Sequence, residues 1–150
     1  MLRRLQNFNG KNIDAQNTAG VAMVRGMLVQ KNYVDKSAIL PVAATDLYFV
    51  TKDVQPTGLM SYEGDVSEYD TRLDNIASGE AVQLEKPISG ERYATDQFVA
   101  AGLVDGGFAT VSIVVGATQG KVITSAIASA FIYNGTIAEN GHTLAIIEVL

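Results

Sequence analysis

The chain contains no cysteine and no tryptophan, and its only histidine is His142. The absence of cysteine excludes disulfide bonds, thiolate nucleophiles and cysteine-ligated zinc sites. Most histidine-based acid–base and metal chemistry needs more than one histidine, and His142 follows a predicted turn without visible catalytic partners. The sequence therefore predicts no catalytic residue, no metal site and no cofactor, and we expect a protein that is not an enzyme.

Long apolar runs are also missing. The most apolar stretch, residues 122–133, has 12 residues, whereas a membrane helix needs about 20. The first ten residues contain two arginines but no apolar core of the kind that a secretory signal requires. We expect a soluble protein that has no membrane partner.

Charge is scarce and unevenly distributed: charged residues make up 18% of the 150 residues and apolar residues 47%. Residues 1–20 carry three basic side chains and one acidic one, whereas residues 53–105 carry eleven acidic side chains and three basic ones. An acidic middle repels nucleic acid phosphates, so we expect no nucleic acid partner. Residues 106–150 carry only three formal charges, which predicts that much of this part is buried, in a core or against other subunits.

The N-terminal segment, residues 1–20, is predicted to be an extended arm in front of a single β-rich domain formed by residues 21–150. Leu2, Leu5 and Phe8 recur at every third position, and the segment is too polar to fold alone. The arm is suited to reach a partner through its apolar residues and its positive charge, although a frayed terminus is an equally good interpretation. The proposed contact residues are Leu2, Arg3, Arg4, Leu5 and Phe8.

Short apolar segments separated by glycine turns indicate a mainly β fold, a small β-sandwich or barrel-like domain with one short α-helix. Asn134-Gly135 and Asn140-Gly141 predict tight turns, because both central residues of such turns have positive φ. Gly116–Val122 misses the phosphate-loop pattern by its spacing and predicts a hairpin turn instead. The predicted strands cover residues 21–24, 26–31, 47–50, 81–86, 92–99, 108–115, 121–124, 130–133, 136–138 and 143–150.

The one predicted helix covers residues 65–78. Asp65 or Ser67 can cap its N-terminus, and Gly79 stands where a helix-terminating glycine is common. Its apolar face is expected to comprise Val66, Tyr69, Leu73 and Ile76. The acidic residues around it are expected to interact favourably with the helix dipole. They are not expected to bind calcium, because they lack the EF-hand pattern. These acidic residues are Glu63, Asp65, Glu68, Asp70 and Asp74.

The order of segments from Gly26 to Leu150, about four-fifths of the chain, resembles a group of tailed-phage capsid decoration (cement) proteins. An early strand follows an alanine-rich turn, a glycine-led strand follows a short helix, and glycine turns precede the last strands. The segments that carry the resemblance are Thr45–Val50, Gly79–Leu84, Gly90–Asp96, Gly106-Gly107, Gly120-Lys121 and Leu144–Leu150.

The resemblance implies a small β-rich domain, made in the host cytoplasm, that binds the outside of a head shell in the virion. It implies the major capsid protein and further copies of the chain as partners, with a trimer favoured, and it makes the five arm residues candidate capsid or subunit contacts. Three alternatives stay open. They are another phage subunit of the tail or head-completion type, a β-sandwich carbohydrate-binding module, and an enzyme that uses the acidic cluster.

Overall fold

The computed structural model describes residues 1–6, 13–51, 74–139 and 141–150, and this part of the chain is mainly β, as the sequence predicts. Its strands fall into one six-stranded sheet, one closed barrel and one two-stranded ribbon. In chain order they are β1 (Leu2–Gln6), β2 (Ile13–Ala19), β3 (Met23–Val24), β4 (Leu28–Asn32), β5 (Ser37–Ile39), β6 (Tyr48–Thr51), β7 (Asn75–Ile76), β8 (Ala81–Glu85), β9 (Arg92–Thr95), β10 (Phe108–Val111), β11 (Val122–Thr124), β12 (Phe131–Glu139) and β13 (His142–Val149).

The six-stranded sheet is antiparallel and has the spatial order β1-β9-β13-β12-β10-β11. Strand β9 lies between β1 and β13, so that Tyr93 is opposite Arg4 on one side and Ile147 on the other. The sheet therefore joins the start of the chain to its last third.

The barrel closes in the order β2-β5-β4-β6-β8, with β8 pairing back to β2. Only the β2–β5 contact is parallel; the other strand pairs of the barrel are antiparallel. The interior is filled by apolar side chains, because residues on alternate positions of each strand point inward. These side chains form the barrel cluster together with Met23, Met27 and Ile76, which lie outside the barrel strands. The buried residues of the barrel cluster are Ala19, Met23, Met27, Val29, Ala38, Tyr48, Val50, Ile76, Val82 and Leu84.

A second apolar cluster is shared between the barrel and the six-stranded sheet. Phe49 of the barrel packs on Tyr93 of the sheet, with ring centroids 4.6 Å apart and an interplanar angle of 34°, a tilted geometry that aromatic pairs favour. The residues of this cluster are Leu2, Leu28, Leu47, Phe49, Tyr93, Ala109, Val111, Val122, Phe131, Ile147 and Val149. Burial of these side chains joins the two sheets into one packed unit.

The prediction that the last part of the segment 65–78 is helical is wrong. Asn75 and Ile76 form strand β7, which pairs antiparallel with Met23 and Val24 of β3. Ile76 is buried in the barrel cluster as part of this ribbon, so its apolar character serves a strand and not a helix face. The predicted caps Asp65 and Ser67, and the face residues Val66, Tyr69 and Leu73, lie outside the described residues.

The turns predicted at the two asparagine–glycine pairs have different outcomes. Glu139 pairs with His142 across a two-residue connection that contains Gly141, whose φ is +80°, as the predicted turn requires; Asn140 lies outside the described residues. The turn predicted at Asn134-Gly135 is wrong, because β12 runs through it. The register shifts there, and the φ of Gly135 is +81°, so the glycine forms an irregularity in one long strand.

The predicted arm is part of the folded body in both of its described pieces, which corrects the expectation of a separate segment for those residues. Residues 2–6 form an edge strand of the six-stranded sheet, and residues 13–19 form a barrel strand between β5 and β8. A sequence pattern cannot show this, because both pieces pair with strands that are distant along the chain. Residues 7–12 between them are not described.

Gly26 lies at a close approach between the backbone that leads into the barrel and the six-stranded sheet. A Cβ atom there would lie 2.5 Å from Thr95 Oγ1 and 2.8 Å from the Met1 carbonyl oxygen, and the φ of Gly26 is +94°. Gly79 has a similar φ of +85° but open space around the corresponding position. We expect Gly79→Ala to lower the free energy of unfolding by about 1–2 kcal/mol through φ alone.

Gly26→Ala adds steric overlap to the same φ strain, so it should cost a further 1–3 kcal/mol, roughly the cost of overpacking. Urea unfolding of both variants and the wild type measures the difference. Equal losses in the two variants would show that the approach at Gly26 is looser than described.

Candidate functional site

The five predicted contact residues of the N-terminal segment have different environments. Leu2 is only 6% exposed and belongs to the core shared by the two sheets, so its prediction as a contact residue is wrong. Leu5 is 45% exposed. The guanidinium groups of Arg3 and Arg4 are partly exposed and pair with carboxylates of other strands. Phe8 lies outside the described residues.

The partner of Arg4 is a buried carboxylate on the barrel. Arg4 Nε donates to both oxygens of Glu85, at 2.9 and 2.8 Å, and its Nη2 lies 2.6 Å from Glu85 Oε2. The hydroxyl group of Tyr93 donates to Glu91 Oε2 at 2.6 Å and also lies 3.3 Å from Glu85 Oε1. Glu91 accepts a further hydrogen bond from the backbone nitrogen of Ile88 at 3.0 Å. We call Arg4, Glu85, Glu91 and Tyr93 the inter-sheet cluster.

The environment of the inter-sheet cluster fixes the protonation states of its donors. Burial raises the pKa of Tyr93 strongly, and the hydrogen bond to Glu91 raises it further. The hydrogen bond to Glu85 raises the pKa of Arg4. Tyr93 therefore stays a neutral donor and Arg4 a cation at physiological pH. Because Glu85, Glu91 and Tyr93 are at most 1% exposed, this arrangement has the character of a structural network.

Of the acidic residues singled out in the sequence, Asp74 alone lies in the described part of the chain. The carboxylate of Asp74 is buried and lies 3.1 Å from the amino group of Met1. Glu63, Asp65, Glu68 and Asp70 lie outside the described residues. Across residues 1–6, 13–51, 74–139 and 141–150, no group of three or more histidine or acidic side chains is placed to hold a metal ion. The same residues contain no helix long and apolar enough to span a membrane.

His142 lies beside an aspartate. Its Nδ1 is 3.7 Å from Asp96 Oδ2, which is too long for a hydrogen bond. The other carboxylate oxygen, Asp96 Oδ1, is 2.6 Å from the amino group of Met1. Among the described residues, no hydroxyl group forms a hydrogen bond with the imidazole. That His142 has no catalytic role stays a prediction.

A polar cluster that the sequence did not reveal surrounds the side chain of Tyr48, whose ring belongs to the buried cluster of the barrel. The ammonium groups of Lys31 and Lys86 lie 4.3 and 4.5 Å from the centre of the Tyr48 ring, within the range of cation–π attraction. The hydroxyl group of Tyr33 donates to Asp46 at 3.0 Å and lies 3.3 Å from the Tyr48 hydroxyl. Tyr33 itself is 68% exposed, so its ring forms a fixed aromatic surface.

Charge pairing around Tyr48 shifts several pKa values. The hydrogen bond from Lys31, 2.7 Å long, and a backbone hydrogen bond from Gln16 lower the pKa of Asp14 to about 2. The Lys86 ammonium lowers the pKa of Asp46. Hydrogen bonds with Tyr48 and Asp46 raise the pKa of Tyr33 to about 12. Asp14 and Asp46 are therefore ionised and Tyr33 is neutral at pH 7, and none of these shifts places a proton acceptor near pH 7.

The most exposed apolar run lies where the sequence predicted a buried strand. Strand β10 ends at Val111, and residues 112–121 connect it to β11. Within this connection Ile113, Val114 and Val115 are 45%, 68% and 87% exposed. Residues 106–138 contain one charged residue, Lys121. We call residues 113–115 the apolar segment.

A groove of about 500 Å³ lies next to the apolar segment, and Gly116 and Ala117 belong to both the connection and the groove. The opposite side of the groove comes from the β3–β7 ribbon. Lys121 is the one charged residue among those that line it. The lining residues are Ala22, Met23, Val24, Met27, Leu40, Asn75, Ile76, Ala77, Gln97, Gly116, Ala117, Gln119 and Lys121. The volume and the apolar lining are typical of a binding groove.

Comparison with known proteins gives no relative: no family model matches the chain, and no curated protein or solved structure matches it.

The inter-sheet cluster predicts a specific cost for removing one hydroxyl group. Tyr93→Phe leaves the buried Glu91 without its 2.6 Å donor, and we expect a loss of about 1–3 kcal/mol in the free energy of unfolding. Tyr133→Phe is the matched control, because Tyr133 packs against the same core and its hydroxyl forms no hydrogen bond to the described residues. Chemical denaturation that finds the two variants equally stable would contradict the role given to Tyr93.

The Asp14–Lys31 pair predicts a pH-dependent contribution to stability. Because the pKa of Asp14 is lowered from 3.8 to about 2 in the folded protein, the pair stabilises the fold above about pH 4. This contribution is lost as the pH falls through about 2. Asp14→Asn should therefore cost up to about 1 kcal/mol near pH 6, as exposed pairs do, and only a small part of that near pH 2.

Denaturation curves of the wild type and Asp14→Asn across this pH range measure the effect. The same substitution in a Lys31→Met background is the control, and there the pH-dependent difference should disappear. A difference that persists in that background would mean that Lys31 does not cause the shift.

Proposed function

We propose that the chain is a non-catalytic structural protein of a phage virion, a capsid decoration subunit that binds the outer surface of the head shell. It acts by non-covalent contact with the major capsid protein and with its own copies, in a trimer. The observation that carries the proposal is the apolar segment, Ile113–Val115, which is exposed in a part of the chain with almost no charge.

Apolar exposure of this kind favours a protein partner. The three consecutive side chains of the apolar segment lose contact with water when another subunit covers them, and that transfer is favourable. The centre of a protein interface is typically depleted of charge, as residues 106–138 are. With a net charge of −5, two copies repel each other where acidic surfaces meet. A charge-poor surface is therefore the natural place for contact.

The groove next to the apolar segment supports the same proposal. A partner side chain can enter the groove between the β3–β7 ribbon and Gly116, while the apolar segment packs on the surface beside it. Lys121 offers a cation to an acidic residue of the partner. Such a pocket beside an apolar surface is a common location for the residues that dominate binding energy. Of the N-terminal candidates, Leu5, Arg3 and Arg4 keep enough exposure to contribute at the far edge strand.

A carbohydrate-binding module is the second candidate, and Tyr33 is the observation that favours it. Its ring is 68% exposed and its hydroxyl is held by Asp46 and Tyr48, so the ring can stack on a sugar without losing side-chain entropy on binding. Glycan-array binding that disappears in Tyr33→Ala would support this alternative. A tail or head-completion subunit would instead form a closed ring of six or twelve copies, which light scattering detects.

Val115→Asp tests the proposed function. The side chain is 87% exposed, so the substitution should leave the free energy of unfolding within about 0.5 kcal/mol of the wild type. A carboxylate at the centre of the contact should nevertheless reduce co-sedimentation with purified head shells at least about tenfold, and should shift the trimer towards monomer in light scattering.

Val34→Asp is the matched control, because Val34 is 89% exposed but lies in the β4–β5 turn. It adds the same charge without touching the apolar segment and should bind shells like the wild type. Unchanged binding of Val115→Asp, or an equal loss in both variants, would show that the apolar segment is not the docking surface.

A further inference from the structure

We propose that a cleft beside the N-terminal strand is a binding site for a phosphate group. The cleft has a volume of about 190 Å³ and is lined by Leu2, Arg3, Arg4, Arg25 and Thr51. It lies where β1, the connection between β3 and β4, and the end of β6 meet. The inference is independent of the observation that carries the proposed function, because it concerns neither the apolar segment nor the groove beside it.

The arginines are concentrated in this cleft to a degree that the composition does not require. The chain contains five arginines, and its net charge is −5; three of the five line this one cleft. Like charges that are brought together raise the free energy of the folded state unless an opposite charge lies nearby. Glu139 neutralises Arg3 and Glu85 neutralises Arg4, so among the described residues one arginine of the cleft has no carboxylate partner and can bind a ligand.

That remaining charge belongs to Arg25. Its Nε is buried from solvent and has no hydrogen-bond partner among the described residues, and its guanidinium group forms no ion pair with them. A buried donor without an acceptor is uncommon in folded proteins, because it has lost its water without a replacement. An anion in the cleft would supply the missing acceptor.

The chemistry of the lining favours an oxyanion with several acceptor oxygens. A guanidinium group is planar and presents its N–H groups as a fork, which matches two oxygens of a phosphate group. Leu2 contributes an apolar wall, and the Thr51 hydroxyl is engaged with the Gln83 carbonyl oxygen at 3.2 Å. Selectivity therefore comes from the arginines, and a cleft of this size accepts a phosphate group but not a nucleotide base with it.

Calorimetric titration of the full chain with sodium phosphate, at an ionic strength held constant with chloride, tests the site. We expect saturable binding to the wild type and an affinity weakened about tenfold or more in Arg25→Gln, since a hydrogen bond to a charged group contributes about that much. Arg25→Lys keeps the charge but loses the fork, and it should bind with intermediate affinity. Arg92→Gln is the matched control, because Arg92 pairs with Glu148 away from the cleft; it should bind like the wild type.

Methyl phosphate and acetate identify the ligand class. Methyl phosphate that binds as well as inorganic phosphate assigns the cleft to a phosphate ester, and weaker binding assigns it to the free ion; both support the inference. Acetate that binds as tightly as phosphate overturns it, as does an Arg25→Gln variant with unchanged affinity. If Arg25→Gln does not fold, the melting temperature of the wild type decides: a rise with phosphate but not with acetate supports the site, and the same rise with both overturns it.

Discussion

The arrangement of the two sheets depends on the hydrogen bonds that the buried carboxylate of Glu85 accepts. It belongs to the barrel, yet its hydrogen-bond partners Arg4 and Tyr93 belong to the six-stranded sheet. A charge at 1% exposure is unfavourable unless its partners stay in place. Any displacement of one sheet along the other therefore leaves an unpaired charge in the core. Apolar packing of Phe49 on Tyr93 brings the sheets together, and the inter-sheet cluster fixes their relative position.

The same interaction makes the start of the chain part of the body. Among the described strands, β1 pairs with β9 alone, and an edge strand has few backbone hydrogen bonds to hold it. Arg4 anchors its middle to Glu85. The amino group of Met1 anchors its beginning to Asp74 and Asp96. These contacts enclose Gly26, and they bring Arg3, Arg4 and Arg25 to one cleft.

The surfaces that remain available differ in character from one side of the molecule to another. Two lysine ammonium groups lie against the ring of Tyr48, and Asp46 holds the hydroxyl group of the neighbouring exposed Tyr33. The connection between β10 and β11 instead exposes aliphatic side chains with no charge from Gly106 to Gly120. The separation of charged from uncharged surface is the property expected of a subunit that packs in one orientation on a larger assembly, since charge repels wrong contacts and apolar area stabilises the right one.

Local signals in the sequence determined the mainly β fold, the positions of most strands and the turn at Gly141, because alternation and positive φ act within a few residues. The exposure of Ile113–Val115 could not be predicted, since an apolar run of this length has the same composition in a core or on a surface. The spacing of Ile76 fits a helix, but the strand β3, about fifty residues earlier in the chain, decides its conformation.

Only the tertiary structure decided the role of the N-terminal residues. The sequence pattern predicts Leu2 and Arg4 to be contact residues of an arm, yet Leu2 is in the core and Arg4 is bound to Glu85. Their partners lie some eighty to ninety residues away: Leu2 pairs with Thr95, and Arg4 pairs with Tyr93 and binds Glu85. Contacts at that separation leave no periodic trace in the sequence, because the free energy that selects them comes from burial and charge pairing, which exist only once both sheets have formed.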